Sequence, residues 1–309
     1  MATSNGSFSP LNEEQSASIG GNALHAGPSA PVDPDNPIWG SIAASLIWLA
    51  SMALQIVVPL FFIVPFIMQR GLNPSSPDFG REAAEILVTD RTALLLQVIS
   101  LLPIHLLTVV LIWAVVTRFG KRPFFASFGW HLARGVPEAV ALVGIGVTLF
   151  FVSALVASLI GATQETQMEQ LIKSSLAARY MIAVLAVFTA PFVEEFVYRG
   201  IVYSALQRTI GVRAAVVLVA LLFTLIHVPQ YRQSLGVIVA VAMLSVALTL
   251  ARAYSGRLLP SVIIHMAFNA VQAAMLVLAP FFTHVPPPAE PTAPTTSLFL
   301  PLVHLIFWK

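Results

Sequence analysis

Seven apolar runs, separated by short polar connectors, follow one another between residues 38 and 282. They are Ile38–Met68, Thr92–Thr117, Val136–Ile160, Tyr180–Leu206, Val212–Val228, Leu235–Ala251 and Pro260–Phe282. A helix rises about 1.5 Å per residue and a bilayer's hydrocarbon core is about 30 Å thick, so runs of this length read as membrane-crossing helices. Composition points the same way: 57% of the 309 residues are hydrophobic and 10% are charged, where a soluble domain carries about 25% charged residues. The expected fold class is all-α, a polytopic transmembrane helical bundle with seven to eight membrane segments. The eighth run, Ser297–Trp308, would span only about 18 Å as a helix. It is expected to lie in the interface, re-enter, or cross a thinned bilayer. Pro59 and Pro65 are expected to kink the first helix.

The rest of the chain divides around these runs. Residues 1–37 lack Lys and Arg, are rich in Ser, Gly, Asn and Pro, and read as a disordered tail; no signal-peptide pattern is present. Residues 38–135 hold the first two spans and a basic loop. Residues 136–282 form a transmembrane core, and residues 283–309 a Pro-rich loop followed by the short last run. Glu165, Glu169 and Lys173 read as a solvated linker, and the tryptophans as interfacial anchors.

Counting Lys and Arg, one side receives Arg118, Lys121, Arg122, Arg134, Arg208, Arg213, Arg252, Arg257 and Lys309, and the other Arg70, Arg81, Arg91, Lys173, Arg179 and Arg232. That bias favours a cytoplasmic N terminus. The net charge of +2, without a basic cluster, argues against a nucleic-acid partner. Cysteine is absent, which excludes disulfides, thiolate metal sites and a cysteine nucleophile.

Ionisable groups within spans are costly and usually functional. The fourth run contains Glu194-Glu195-Phe-Val-Tyr-Arg199-Gly200. Glu195 and Arg199 are four apart and share a helix face, so they are expected to neutralise each other, leaving Glu194 about 100° away without that partner. Pro191 removes an amide donor and frees a carbonyl, and Gly200 is expected to let a neighbouring helix approach. The fifth run ends in Phe223-Thr-Leu-Ile-His227; the seventh carries His265-Met-Ala-Phe-Asn269, again four apart on one face. Counted back from the basic residues at the helix ends, Glu194 and His227 lie roughly 21 Å from the same boundary, and His265 and Asn269 roughly 12 and 18 Å. The four side chains are expected to meet in one layer. His105 fits none of these patterns and reads as a packing histidine; His25, His131, His284 and His304 fall in loops, the tail or the last short run.

These three patterns, in this order and each on its own apolar run, resemble the three motifs of the CPBP family, the CAAX proteases and bacteriocin-processing enzymes also known as the ABI family. The resemblance covers residues 180–275. It implies an intramembrane endopeptidase in which Glu194, as general base, and His227 activate a water, His265 and Asn269 line the oxyanion side, and Glu195 with Arg199 shapes the site. The implied partners are the lipid bilayer and a membrane-associated protein or peptide, prenylated or leader-bearing. A metal-free mechanism is preferred, so no cofactor is expected. A zinc ion held by Glu194, His227 and His265 stays open, since two histidines and a carboxylate are a known ligand set. Two other readings use the same residues: a non-catalytic immunity or scaffold protein of the same fold, and a proton-coupled transporter.

Overall fold

The computed structural model describes residues 33–161, 176–232 and 234–282. The short last run, the Glu165–Lys173 linker and His25, His284 and His304 lie outside these. Eight helices carry the described fold: α1 Ser41–Gln69, α2 Phe79–Thr89, α3 Arg91–Thr117, α4 Val136–Ile160, α5 Leu176–Ile210, α6 Val212–Tyr231, α7 Leu235–Ser255 and α8 Leu258–Phe282. No strand occurs among the described residues.

Local chemistry sets several ends. The Asp90 side chain caps α3, accepting from the amides of Thr92 at 2.7 Å and Ala93 at 3.1 Å. Pro137 occupies the first turn of α4, where its missing N–H costs nothing. Gly211, at φ +79°, turns the chain between α5 and α6 in a conformation open chiefly to glycine. Pro59 and Pro65 both lie inside α1. The amphipathic α2 was not foreseen; its buried Phe79, Ala83 and Leu87 are spaced at four and pack on Ile63, Ile67 and Ala93.

Every helix except α2 is long and apolar enough to cross a membrane. Large apolar side chains point outward, among them Ile42 at 81% exposure and Phe61 at 74%. Polar groups turn inward: Glu195, Arg199, Ser245, Thr249, Ser261 and His265 are all buried. That polarity is the reverse of a soluble protein's, and the chain is an integral multi-pass membrane protein.

α8 packs along α4, α7 along both α4 and α6, and α1 along α3, while α5 threads between them and touches α1, α3, α6 and α8. Glycine brings α4 and α8 together. A Cβ on Gly146 would stand 2.5 Å from the Ile264 carbonyl oxygen and 2.7 Å from Ala267 Cβ. Gly146→Ala should therefore force the two helices apart and lower stability by about 1–3 kcal/mol, read as a fall in melting temperature in detergent. An unchanged melting temperature would show that the pair can separate freely.

Two connections are better ordered than composition suggested. Residues 33–37, read above as the end of an unstructured tail, are held by side chains from the helix ends. Arg252 donates to Asp35 Oδ1 at 2.7 Å and to the Pro34 carbonyl at 2.9 Å, and Arg208 donates to the Pro37 carbonyl at 2.7 Å. Buried Trp39 follows, its indole N–H donating to the Ile201 carbonyl at 3.2 Å. Trp39 is thus a buried donor rather than an interfacial anchor. The basic loop between α3 and α4 also folds inward: Phe124 and Trp130 stack on Phe196 at 5.1 and 5.5 Å, and Phe128 meets its edge at 4.7 Å. Gly200 accordingly admits the Phe128 ring, 2.9 Å from where its Cβ would lie, rather than mainly a helix.

Candidate active site

α5 is not a uniform helix. Its backbone widens to i→i+5 hydrogen bonding at Leu185–Thr189 and again at Phe196–Tyr203, with an ordinary α-turn, Ala190–Glu195, between. Such wide turns are rare and gather at functional sites. The cause of the first is legible in its hydrogen bonds. Ala190 N–H donates to the Leu185 carbonyl, so the next carbonyl in that register, Ala186, faces Pro191, which has no N–H. Asn269 supplies the missing donor from α8, its Nδ2 reaching Ala186 O at 2.8 Å. One of the amide's two hydrogens is thereby used.

The two acids then have different surroundings. Glu195 is fully buried, and its Oε1 accepts from Arg199 Nη1 at 2.8 Å and from His265 Nδ1 at 2.9 Å. Arg199, also fully buried, spreads its remaining donors over α7: Nε to Thr249 Oγ1 at 3.1 Å, and Nη2 to the carbonyl and hydroxyl of Ser245 at 2.9 and 2.8 Å. Its guanidinium lies 4.6 Å from the centre of the Phe223 ring. Glu194 makes no hydrogen bond among the described residues, and its side chain is 28% exposed. His265 Nε2 faces Glu194 Oε2 at 3.8 Å, beyond hydrogen-bond range.

His227 sits one ring away. Its Nδ1–H donates to the Phe223 carbonyl at 2.7 Å, which leaves Nε2 as an acceptor in the neutral ring. Phe223 is the hub: its ring centre is 4.7 Å from His227, 6.1 Å from His265 and 5.1 Å from Tyr198. Tyr198 is held in turn by Trp48, whose indole N–H donates to its hydroxyl at 3.1 Å.

The structure thus brings Glu194, Glu195, Arg199 and His265 into direct proximity, joins His227 to them through Phe223, and turns Asn269 toward the backbone of α5. Sequence reasoning passed over Phe223 as a contact, Ser245 and Thr249, and the Trp48–Tyr198 bond. Ser245 and Thr249 did leave a signal, two small polar residues four apart in an otherwise apolar run. Among the described residues, no group of three or more His, Asp or Glu side chains gathers as a metal site requires, so Glu194, His227 and His265 do not fit a shared ion as they stand.

Neither the curated proteins nor the solved structures contain a match to this chain. A family model does match over residues 176–271, the stretch that holds all three motifs, and its description is type II CAAX prenyl endopeptidase, Rce1-like. At the family level this supports an intramembrane peptidase with a protein or peptide substrate. The part of the chain that builds the site, α5 to α8 as far as Val271, is thereby matched to the Rce1-like CAAX prenyl endopeptidases, consistent with the CPBP family.

Proposed function

We propose that this protein hydrolyses a peptide bond of a membrane-associated substrate, with Glu194 as general base on an attacking water. One observation carries the reading. Of two adjacent buried-segment acids, one is locked between Arg199 and His265, and the other is unbonded, partly accessible and directed at the same histidine.

The chemistry follows from those positions. Glu194 takes a proton from water as the water oxygen bonds to the substrate carbonyl carbon, and the carbonyl π pair moves onto oxygen. Collapse then breaks the C–N bond, and the proton held by Glu194 passes to the departing amine. His227 presents Nε2 as a second acceptor for the water. The oxyanion needs donors, each typically worth about 2.7–4 kcal/mol. The second amide hydrogen of Asn269 is one, and His265 Nε2 is another when the ring carries both protons. Glu195 and Arg199 hold His265 in place from behind.

The substrate class we favour is a C-terminal CAAX peptide carrying a prenyl group, because that is what the matched family model describes. The test is direct. The purified chain in liposomes is given a fluorogenic peptide with a prenylated CAAX end, alongside the same peptide without the lipid. The expected result is cleavage of the lipidated peptide, identified by product mass, at a rate unchanged by excess chelator. Loss of activity to the chelator with recovery on adding zinc would favour the metal-dependent mechanism. No cleavage of either peptide would remove the CAAX assignment.

A further inference from the structure

The mechanism leaves His105, an ionisable side chain within a span, unused. His105 sits mid-way along α3, which carries no motif residue. Counted from Arg118 at the end of that helix, it lies roughly 20 Å deep, the same layer that Glu194 and His227 occupy by the same measure. Ionisable groups at such depth are expensive unless they serve a purpose.

Its surroundings are specific. His105 Nδ1 is 2.9 Å from Thr189 Oγ1, and the Thr189 hydroxyl spends its own hydrogen on the Leu185 carbonyl at 3.2 Å. The threonine oxygen therefore accepts, and His105 Nδ1–H donates. That fixes the tautomer of the neutral ring, with Nε2 an acceptor that makes no hydrogen bond to any described residue. The contact is placed with consequence: Thr189 closes the wide turn of α5, and the next six residues, Ala190–Glu195, pack against α3 and end in the two acids.

We propose that His105 is a positioning residue for Glu194. Resting on the general-base reading above, it acts through the position of that carboxylate. The His105–Thr189 bond ties α3 to the wide turn, which sets where the Glu194 side chain stands relative to α8. No proton leaves the Glu194–water–substrate set, so the chemistry balances as before.

The test is a double-mutant cycle on the liposome assay with the prenylated fluorogenic peptide. His105→Phe keeps a flat ring but removes both nitrogens. It should lower kcat about ten- to a hundredfold with KM and melting temperature near wild type, and should add less than about twofold loss once Glu194→Gln is present. His105→Gln, which keeps one donor and one acceptor, should recover most of the rate. A wild-type kcat in His105→Phe overturns the proposal. So does a loss that multiplies with that of Glu194→Gln. If His105→Phe does not fold, Thr189→Val, which removes the same bond from the other side, carries the cycle in its place: a melting-temperature drop without a kcat effect again overturns it. Should Glu194→Gln alone keep full turnover, the general-base reading fails first, and this inference falls with it.

Discussion

Glu194→Gln should reduce turnover by about 10²–10⁴ while leaving substrate binding and melting temperature close to wild type, the usual scale for a lost general base. The structural reason is that Glu194 holds nothing up. It makes no hydrogen bond among the described residues, its side chain is 28% exposed, and His265 Nε2 stands 3.8 Å away. An amide of the same shape therefore breaks no bond; it removes only the lone pair that accepts the water's proton. The measurement is kcat and KM on the liposome-reconstituted variant beside its thermal melt. A fall in stability as large as the fall in rate would mean that Glu194 is a structural group.

Glu195→Gln should fail differently. Arg199 and Glu195 are both fully buried, and the carboxylate also anchors His265. Neutralising the acid leaves a guanidinium without a counter-charge in a low-dielectric interior, and breaking such a pair typically costs about 3–5 kcal/mol. Expression and melting temperature should fall together with activity. Combining Glu195→Leu with Arg199→Met should regain part of the stability without activity, because the uncompensated charge, more than the missing bond, is what destabilises. If Glu194→Gln proves the unstable protein and Glu195→Gln the folded, inactive one, the two acids have been assigned the wrong way round.

The contrast between the acids was legible because it depends only on helical spacing: Glu195 and Arg199 are four apart, and Glu194 is one residue off that face. The spans were legible for a similar reason, since hydropathy accumulates along the chain without reference to partners. The predicted run Tyr180–Leu206 and the observed helix Leu176–Ile210 differ by four residues at each end. What stayed hidden depends on groups distant in sequence. Thr189 as the partner of His105 and Ala186 as the partner of Asn269 lie more than eighty residues away. The Pro34–Asp35 anchor looked like tail because its own residues are polar and proline-rich; what holds it is Arg252, on α7. The α3–α4 loop read only as basic, yet Phe124, Phe128 and Trp130 carry it under Phe196. Helix α2 is short and charged on one face, so no hydropathy window isolates it.

The wide turn at Leu185–Thr189 behaves as though one residue had been inserted into an ordinary helix. Its length is therefore under tighter constraint than its side chains. Leu185, Val187 and Phe188 are simple apolar residues, and Phe188 is 57% exposed, so exchange for other apolar residues alters little beyond packing. Deleting any one of them would let the helix close to its regular period. The segments on either side would then rotate by about 100° relative to each other. With Glu195 held by Arg199 and His265, deleting Val187 or Phe188 would turn the preceding segment, and Ala186 would swing away from Asn269. A shorter, more regular and more conventional helix would thus be a worse scaffold, and the irregularity is the dimension along which this site is calibrated.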